Sequence, residues 1–242
     1  IEGPTGPLEL SMTTNGILLP KLADDLAAAG LQRVNISLDT LRPDRFHELT
    51  RRDKFAEVLA GIEAAQASGM APIKINTVAM RDVNDDEIVV RFAADRDLEV
   101  RFIEQMPLDA GHIWSRVKMV TGEEILEQLE RQFRLTPMPG RASAPAERFL
   151  VDDGPTTVGV IRSVTKPFCG TCDRVRITAD GQLRNCLFSR EESDLLTPLR
   201  EAGSDDDLAR VLHTCIAGKL PGHGINDPGF LQPDRPMSAI GG

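Results

Sequence analysis

The chain has 242 residues, of which 41% are hydrophobic and 27% charged, with a formal net charge of −9. That composition is globular, and the length allows one large domain or two small ones. It excludes a membrane span, because no apolar run approaches ~18 residues, and a general nucleic-acid binder, which presents a basic surface.

The opening IEGPTGPLEL carries no basic region followed by an apolar stretch, so no secretory signal is read there and the cytoplasm is the expected location. The first residue is Ile rather than Met, and the chain is read as lacking its N-terminal segment. Residues 8–13 (LELSMT) read as a strand followed by an Asn15-Gly16 turn. Leu19, Leu22, Leu26 and Ala29 give a helical stripe ending at Gly30. Further strands are expected over 33–39, 72–79 and 99–106, with helices over 54–68 and 85–95 between them. This βαβα order implies parallel strands with crossover helices. One face of each early strand is polar: Glu9, Ser11 and Thr13; Asn35, Ser37 and Asp39; Lys74 and Asn76, with Val78 as the exception. A sheet covered on both sides reads as apolar runs instead. The alternation therefore favours a barrel with helices outside and a wet, ligand-filled lumen.

After Pro107 the pattern changes. Residues 121–133 read as a helix with a Thr121/Glu124 capping box, and 137–147 as a Pro- and Ala-rich loop. Short strands are expected at 158–163, 174–178 and 182–186, the last two joined by a two-residue turn at Asp180-Gly181. A last helix spans 205–219, and a Pro- and Gly-rich tail follows from Leu220. The expected domains are residues 1–108 and 109–242.

Cys169, Cys172 and Cys186 form C-x2-C-x13-C, the strongest motif in the chain. In a chain without a secretion signal this spacing favours a metal over disulfides. Gly170 would let the first loop curl, and the hairpin would place Cys186 opposite Val175. Thiolates select zinc or iron–sulfur. A structural zinc wants a fourth ligand, for which Cys215, His112, His213 and His223 are candidates without standard spacing. Three cysteines suit a 4Fe–4S cluster with one open iron, and the residues alone leave both metals open. Cys215, among apolar neighbours of the last helix, reads as a core thiol.

Arg174 and Arg176 follow Cys172 at strand spacing, which would put all three on one face. Paired guanidiniums recognise phosphate bidentately, and Val175 between them offers only its backbone. Lys74, on the polar face of its strand, needs a counter-charge: a substrate phosphate, or a carboxylate such as Glu9. Thr13 and Ser37 lie toward the C-terminal ends of their strands, where barrels build active sites.

The segment FCGTCDRVRITADGQLRNCLFS, the strands SMTTNG, RVNISLDT, KINTVA and RFIEQMPLD, the stretch AGKLPGHGIN and the terminal MSAIGG together resemble the GTP 3′,8-cyclases of molybdenum-cofactor biosynthesis. The resemblance covers nearly the whole chain. It implies an α/β fold: an incomplete radical S-adenosylmethionine (SAM) barrel, TIM-like and here N-terminally truncated, with a C-terminal α+β domain carrying a three-cysteine cluster site. It implies a radical SAM lyase that converts GTP to a 3′,8-cyclic dihydroguanosine triphosphate, the first step of molybdopterin synthesis. The implied cluster ligands are Cys169, Cys172 and Cys186. Thr13, Lys74, Arg174, Val175 and Arg176 would contact GTP, and Ser37 and Met106 would contact SAM. Arg174 and Arg176, with the tail glycines Gly241 and Gly242, would serve catalysis. A second 4Fe–4S cluster, on a C-x3-C-x2-C motif absent from these residues, would cleave SAM, so this chain alone is expected to be inactive. The family implies a homodimer or monomer that hands its product to cyclic pyranopterin monophosphate synthase, with no nucleic-acid or membrane partner. Two other readings remain: a catalytically dead GTP-binding module and a structural zinc site.

Overall fold

The computed structural model describes residues 2–3, 6–87, 89–201 and 203–240. Gly241 and Gly242 therefore lie outside the described residues. The chain divides into two compact units: Ile1–Glu104 with Met119–Arg141 and Ala146–Ile161, and Gln105–Lys118 with Ala142–Pro145 and Arg162–Gly242. The sequence suggested a single cut after residue 108. Residues 119–161 return largely to the first unit because they add strands to its sheet.

The first unit opens with a short antiparallel pair, β1 (Glu2–Gly3) and β2 (Gly6–Pro7). Its main sheet has seven strands in the order β3-β4-β5-β6-β9-β8-β7. Strands β3 (Leu10–Thr14), β4 (Leu31–Ser37), β5 (Ile73–Ala79), β6 (Glu99–Glu104) and β9 (Thr157–Ile161) run parallel. Antiparallel β8 (Glu147–Val151) and β7 (Leu135–Pro137) complete it. The sheet is an open α/β array, consistent with an incomplete TIM-like barrel.

Helices α1 (Leu19–Ala28), α2 (Pro43–Thr50), α3 (Phe55–Ala67), α4 (Val90–Ala94) and α5 (Gly122–Glu130) complete the unit. Helix α1 packs on α3 and β4, α3 on β5, α4 on β6, and α5 on β6 and β9. They cover the sheet face that carries Val34, Ile36, Ile73, Ile75, Val100, Phe102, Val158 and Val160, all buried in one core. Each such side chain removed from water contributes ~1.5–3 kcal/mol. The opposite face carries Asn35, Lys74, Asn76 and Arg101, only partly covered, as the alternation predicted.

Several expectations need correction. Leu8 precedes β3 and is 49% exposed, so it does not extend the apolar face of that strand. The helix expected over 85–95 shrinks to Val90–Ala94. Upstream of it, Asn84 folds its side chain into the backbone: its Nδ2 donates to the Asp39 and Val78 carbonyls, and its Oδ1 accepts the Met80 N–H. Such local bonding competes with helix. Strands β7 and β8, and helix α2, had no counterpart in the sequence reading. The capping box of α5 forms as expected, with the Glu124 N–H donating to Thr121 Oγ1 and Glu124 Oε2 accepting the Thr121 N–H.

The second unit holds an antiparallel sheet of β10 (Arg176–Ile177), β11 (Gln182–Arg184) and β12 (Ser193–Asp194). Helices α6 (Leu196–Arg200) and α7 (Asp205–Ala217) follow. The β10–β11 connection has three loop residues, not two, with Gly181 at φ +77° closing on the Thr178 carbonyl. That is a type I turn with a glycine bulge. It pairs Arg176 with Arg184, one residue off the expected register.

Candidate functional site

Cys169 opens a single 3₁₀ turn, Cys169–Thr171, closed by the Cys172 N–H donating to the Cys169 carbonyl at 3.1 Å. Gly170 has open space where a Cβ would stand, so the turn does not require glycine there. The strand expected over 174–178 forms only at Arg176–Ile177, and Cys172 is not in a strand. The shared-face argument fails in that form, yet Cys169, Cys172, Cys186, Arg174 and Arg176 all line one cavity of about 360 Å³. Val175 does not line it and is 38% exposed.

Two cations frame the thiols. Arg174 donates from Nη1 to the Ser143 carbonyl at 2.9 Å and from Nη2 to Cys172 Sγ at 3.4 Å. Its guanidinium lies 5.0 Å from the Phe168 ring centroid, a cation–π contact that orients it further. Lys219, just past the end of α7, donates from Nζ to the Arg174 carbonyl at 2.7 Å and the Asn185 carbonyl at 2.6 Å, with Cys172 Sγ at 3.9 Å. It ties the segment after Cys172 to the one before Cys186. Sequence reasoning missed Lys219; a basic residue just past a helix end was its only signal.

Burial alone would raise the Cys172 thiol, but the Arg174 N–H, the Arg174 charge and Lys219 outweigh it and hold the pKa below its ordinary value. Cys169 is pushed up, first by burial and then by Cys186 and Cys172. Burial, with Arg174 adding to it, lowers Arg176.

The candidate fourth ligands fare poorly. His223 lines the cavity, but its Nδ1 accepts the Ile225 N–H at 3.2 Å, so its Nε2 carries the proton and donates to the Ser163 carbonyl at 2.9 Å. Both nitrogens are used, and burial lowers its pKa. Cys215 is buried in α7, as the core reading expected, while His112 and His213 are exposed. Among the described residues no three His, Cys, Asp or Glu side chains converge closely enough for one metal ion. A tetrahedral zinc bound at ~2.3 Å needs sulfurs about 3.8 Å apart; a polynuclear cluster, with each thiolate on its own iron, spans more.

In the first unit the polar sheet face is a connected network. Thr13 on β3 and Asn35 on β4 are register partners, joined by a 3.2 Å hydrogen bond from Asn35 Nδ2. Arg101 on β6 donates from Nε to Asn76 Oδ1 at 2.9 Å and from Nη2 to Asn35 Oδ1 at 2.6 Å. Lys74 has a protein counter-charge, and it is not Glu9: Glu99, its register partner on β6, stands 3.3 Å away, while Glu9 pairs with Arg33. Burial lowers the Lys74 pKa, with Glu99 opposing and Arg101 adding to the fall. Ser37 lines a separate cavity of about 530 Å³ with Asn15, Asp39 and Thr40, beyond the C-terminal ends of β3 and β4. Asp39 accepts the Val78 N–H at 2.8 Å, and burial raises its pKa against that bond. Met106 falls after β6, half-buried, in the second unit.

Two family models match the chain in succession, and the second takes in residues 119–161, most of which belong to the first unit. Residues 5–92 match the Radical SAM superfamily, and residues 98–225 match Molybdenum Cofactor Synthesis C. Over 238 residues the chain is 56% identical to the GTP 3′,8-cyclase of Streptomyces coelicolor, covering 97% of this chain and 70% of that relative. The chain belongs to the GTP 3′,8-cyclase family. It is 51% identical over 241 residues to GTP 3′,8-cyclase 2 of Mycobacterium tuberculosis H37Rv, covering 97% of the chain and 67% of the relative. The GTP 3′,8-cyclase of Mycobacterium marinum is 49% identical over 241 residues. GTP 3′,8-cyclases are radical SAM enzymes, and that superfamily implies a 4Fe–4S cluster and SAM as cofactors. No helix among the described residues is long and apolar enough to cross a membrane.

Proposed function

We propose that this chain is the GTP-binding part of a GTP 3′,8-cyclase of molybdenum-cofactor biosynthesis, the enzyme that gives (8S)-3′,8-cyclo-7,8-dihydroguanosine 5′-triphosphate. Cys169, Cys172 and Cys186 would be the protein ligands of a 4Fe–4S cluster beside which GTP sits. The observation that carries this reading is the convergence of three half-buried thiols with Arg174, Arg176 and Lys219 on one cavity. The donor set fits the group: thiolate is the ligand form, and the cations around Cys172 favour it. When bound, such a cluster offers an iron without a cysteine ligand, to which a substrate atom can coordinate.

The remaining roles belong to side chains. Arg174 and Arg176 supply donors for the nucleotide, with Val175 contributing backbone only. Thr13 and Lys74 supply donors from the sheet face. Ser37 and Met106 remain the proposed SAM contacts, and Gly241 and Gly242 the proposed catalytic tail. Cleaving SAM needs a second cluster. The four cysteines are committed to the cavity and to α7, so these residues by themselves would bind GTP without turnover. The chain is proposed to act as a homodimer or monomer and to pass its product to cyclic pyranopterin monophosphate synthase.

The test is reconstitution with iron and sulfide under anaerobic conditions, followed by metal analysis and EPR with and without GTP. About four irons per chain and a GTP-dependent spectral change, both lost in Cys186→Ala, support the reading. Zinc with no iron uptake would replace it with a structural thiolate site. Iron uptake with no response to GTP would overturn the substrate assignment.

A further inference from the structure

We infer that Arg101 is a positioning residue that acts through Asn35 to make the Thr13 hydroxyl present its proton, rather than its lone pairs, to the bound nucleotide. The inference rests on the proposal that this sheet face binds GTP.

The argument is one of donor and acceptor polarity. Arg101 has only N–H donors. Whichever Asn35 atom faces it at 2.6 Å must therefore be the carbonyl oxygen, which fixes an amide orientation that is otherwise an open choice. With Oδ1 turned to Arg101, Asn35 Nδ2 is the atom that meets Thr13 Oγ1 at 3.2 Å. That contact uses a lone pair of the hydroxyl and leaves its proton free to donate. Asn76 is set the same way: its Oδ1 takes Arg101 Nε at 2.9 Å, so its NH₂ is left as a donor. Arg101 thus turns two ambivalent amides and one ambivalent hydroxyl into donors, matching a ligand rich in acceptor oxygens.

The surroundings are built for this reach. Arg101 extends past its register partner Asn76 to Asn35, two strands away. On its other side its register partner is Gly159, where a Cβ would stand 3.1 Å from Arg101 Cγ. Burial lowers the Arg101 pKa, with Glu99 opposing. The cation is half-buried, with its hydrogen bonds placed by the sheet register.

The test is a double-mutant cycle on GTP affinity, measured by equilibrium dialysis on the complete, anaerobically reconstituted protein. Thr13→Val in the parent should weaken GTP binding roughly tenfold, the loss of one hydrogen bond to a charged group, and Thr13→Ser, which keeps the hydroxyl, should recover most of that loss. Asn35→Asp keeps size and the bond to Arg101 but offers an acceptor where Nδ2 stood, so the Thr13 proton turns to it. In that background Thr13→Val should cost nothing further. Repulsion of GTP by the new carboxylate is present in both arms and cancels in the cycle. Circular dichroism melts of each variant confirm the fold. An equal factor for Thr13→Val in both backgrounds overturns the inference, as does an Asn35→Asp protein that binds GTP like the parent. A parent that binds no GTP removes the functional proposal itself, and this inference with it.

Discussion

Lys219 shows how a single side chain can hold a site that its sequence position barely announces. Its ammonium satisfies two backbone carbonyls, of Arg174 and Asn185, and stands beside Cys172. Lys219→Met should leave both carbonyls without that partner, at about 1–3 kcal/mol, and remove a cation from the thiolates. The expected outcome is faster iron loss to a chelator from the reconstituted protein, partly restored in Lys219→Arg. Release at the parent rate would show that the contact is incidental. At this scale the thiols were legible because C-x2-C is a local pattern, and Arg174 and Arg176 because they adjoin it. Lys219 was not, since the two carbonyls it bridges are far from it in sequence. The Lys74 counter-charge was legible as a carboxylate but not as Glu99, for a related reason: strand alternation gives the face of a residue but not its neighbour, and only the β5–β6 register brings Glu99 beside it.

The elements read well where periodicity runs long and unevenly elsewhere: the five-residue β3 and β9 were expected, whereas β7, β8 and the eight-residue α2 were not. Strands β4 and β5 and helices α1 and α3 follow from alternation and the apolar stripe. Strands β7 and β8 flank a Pro- and Ala-rich loop; β7 has three residues, and ERFLV in β8 does not alternate polar with apolar side chains. One close approach of a helix to a turn was also illegible: a Cβ on Gly61 of α3 would stand 2.2 Å from the Gly16 carbonyl, at a turn where Gly16 has φ +79°. Gly61→Ala should therefore push α3 off that turn and destabilise by roughly 1–3 kcal/mol, read as a lower midpoint in urea; an unchanged midpoint would mean the turn gives way freely. Helix α7 carries a capping box in which Ser204 and Asp207 bond each other reciprocally, and the Asp207 pKa falls to about 2, first through its Ser204 bond. A carboxylate lowered on folding stabilises above its unfolded pKa and loses that contribution as pH falls through the folded value. Asp207→Asn should then lower the thermal midpoint at pH 6, with the gap to the parent closing from pH 4 toward pH 2. A gap independent of pH would assign the effect to shape and not to charge.

Across the whole molecule, apolar burial is uneven. The continuous core, from Leu19 to Val160, lies in the first unit. The second unit buries only scattered apolar residues, among them Leu108, Val164, Leu183, Phe188, Ile225 and Ile240. It relies on polar links instead, such as buried Arg184 pairing with Glu192 and with the Ser189 carbonyl, and Arg235 bridging Asp180 and Glu192. A segment whose core is so small has much to gain from a staple, and three thiolates on one cluster would supply it, because ligand binding to the folded state alone adds directly to stability. Iron should then govern the stability of one unit and not the other. Stripping it with a chelator should cost β10, β11 and the Cys169–Thr171 turn their protection from hydrogen exchange, while the amides of β4, β5 and β6 stay protected; restoring iron and sulfide should recover the first set. Equal loss in both units, or no loss in either, would mean that the thiolates staple nothing and that the polar links hold the second unit without metal.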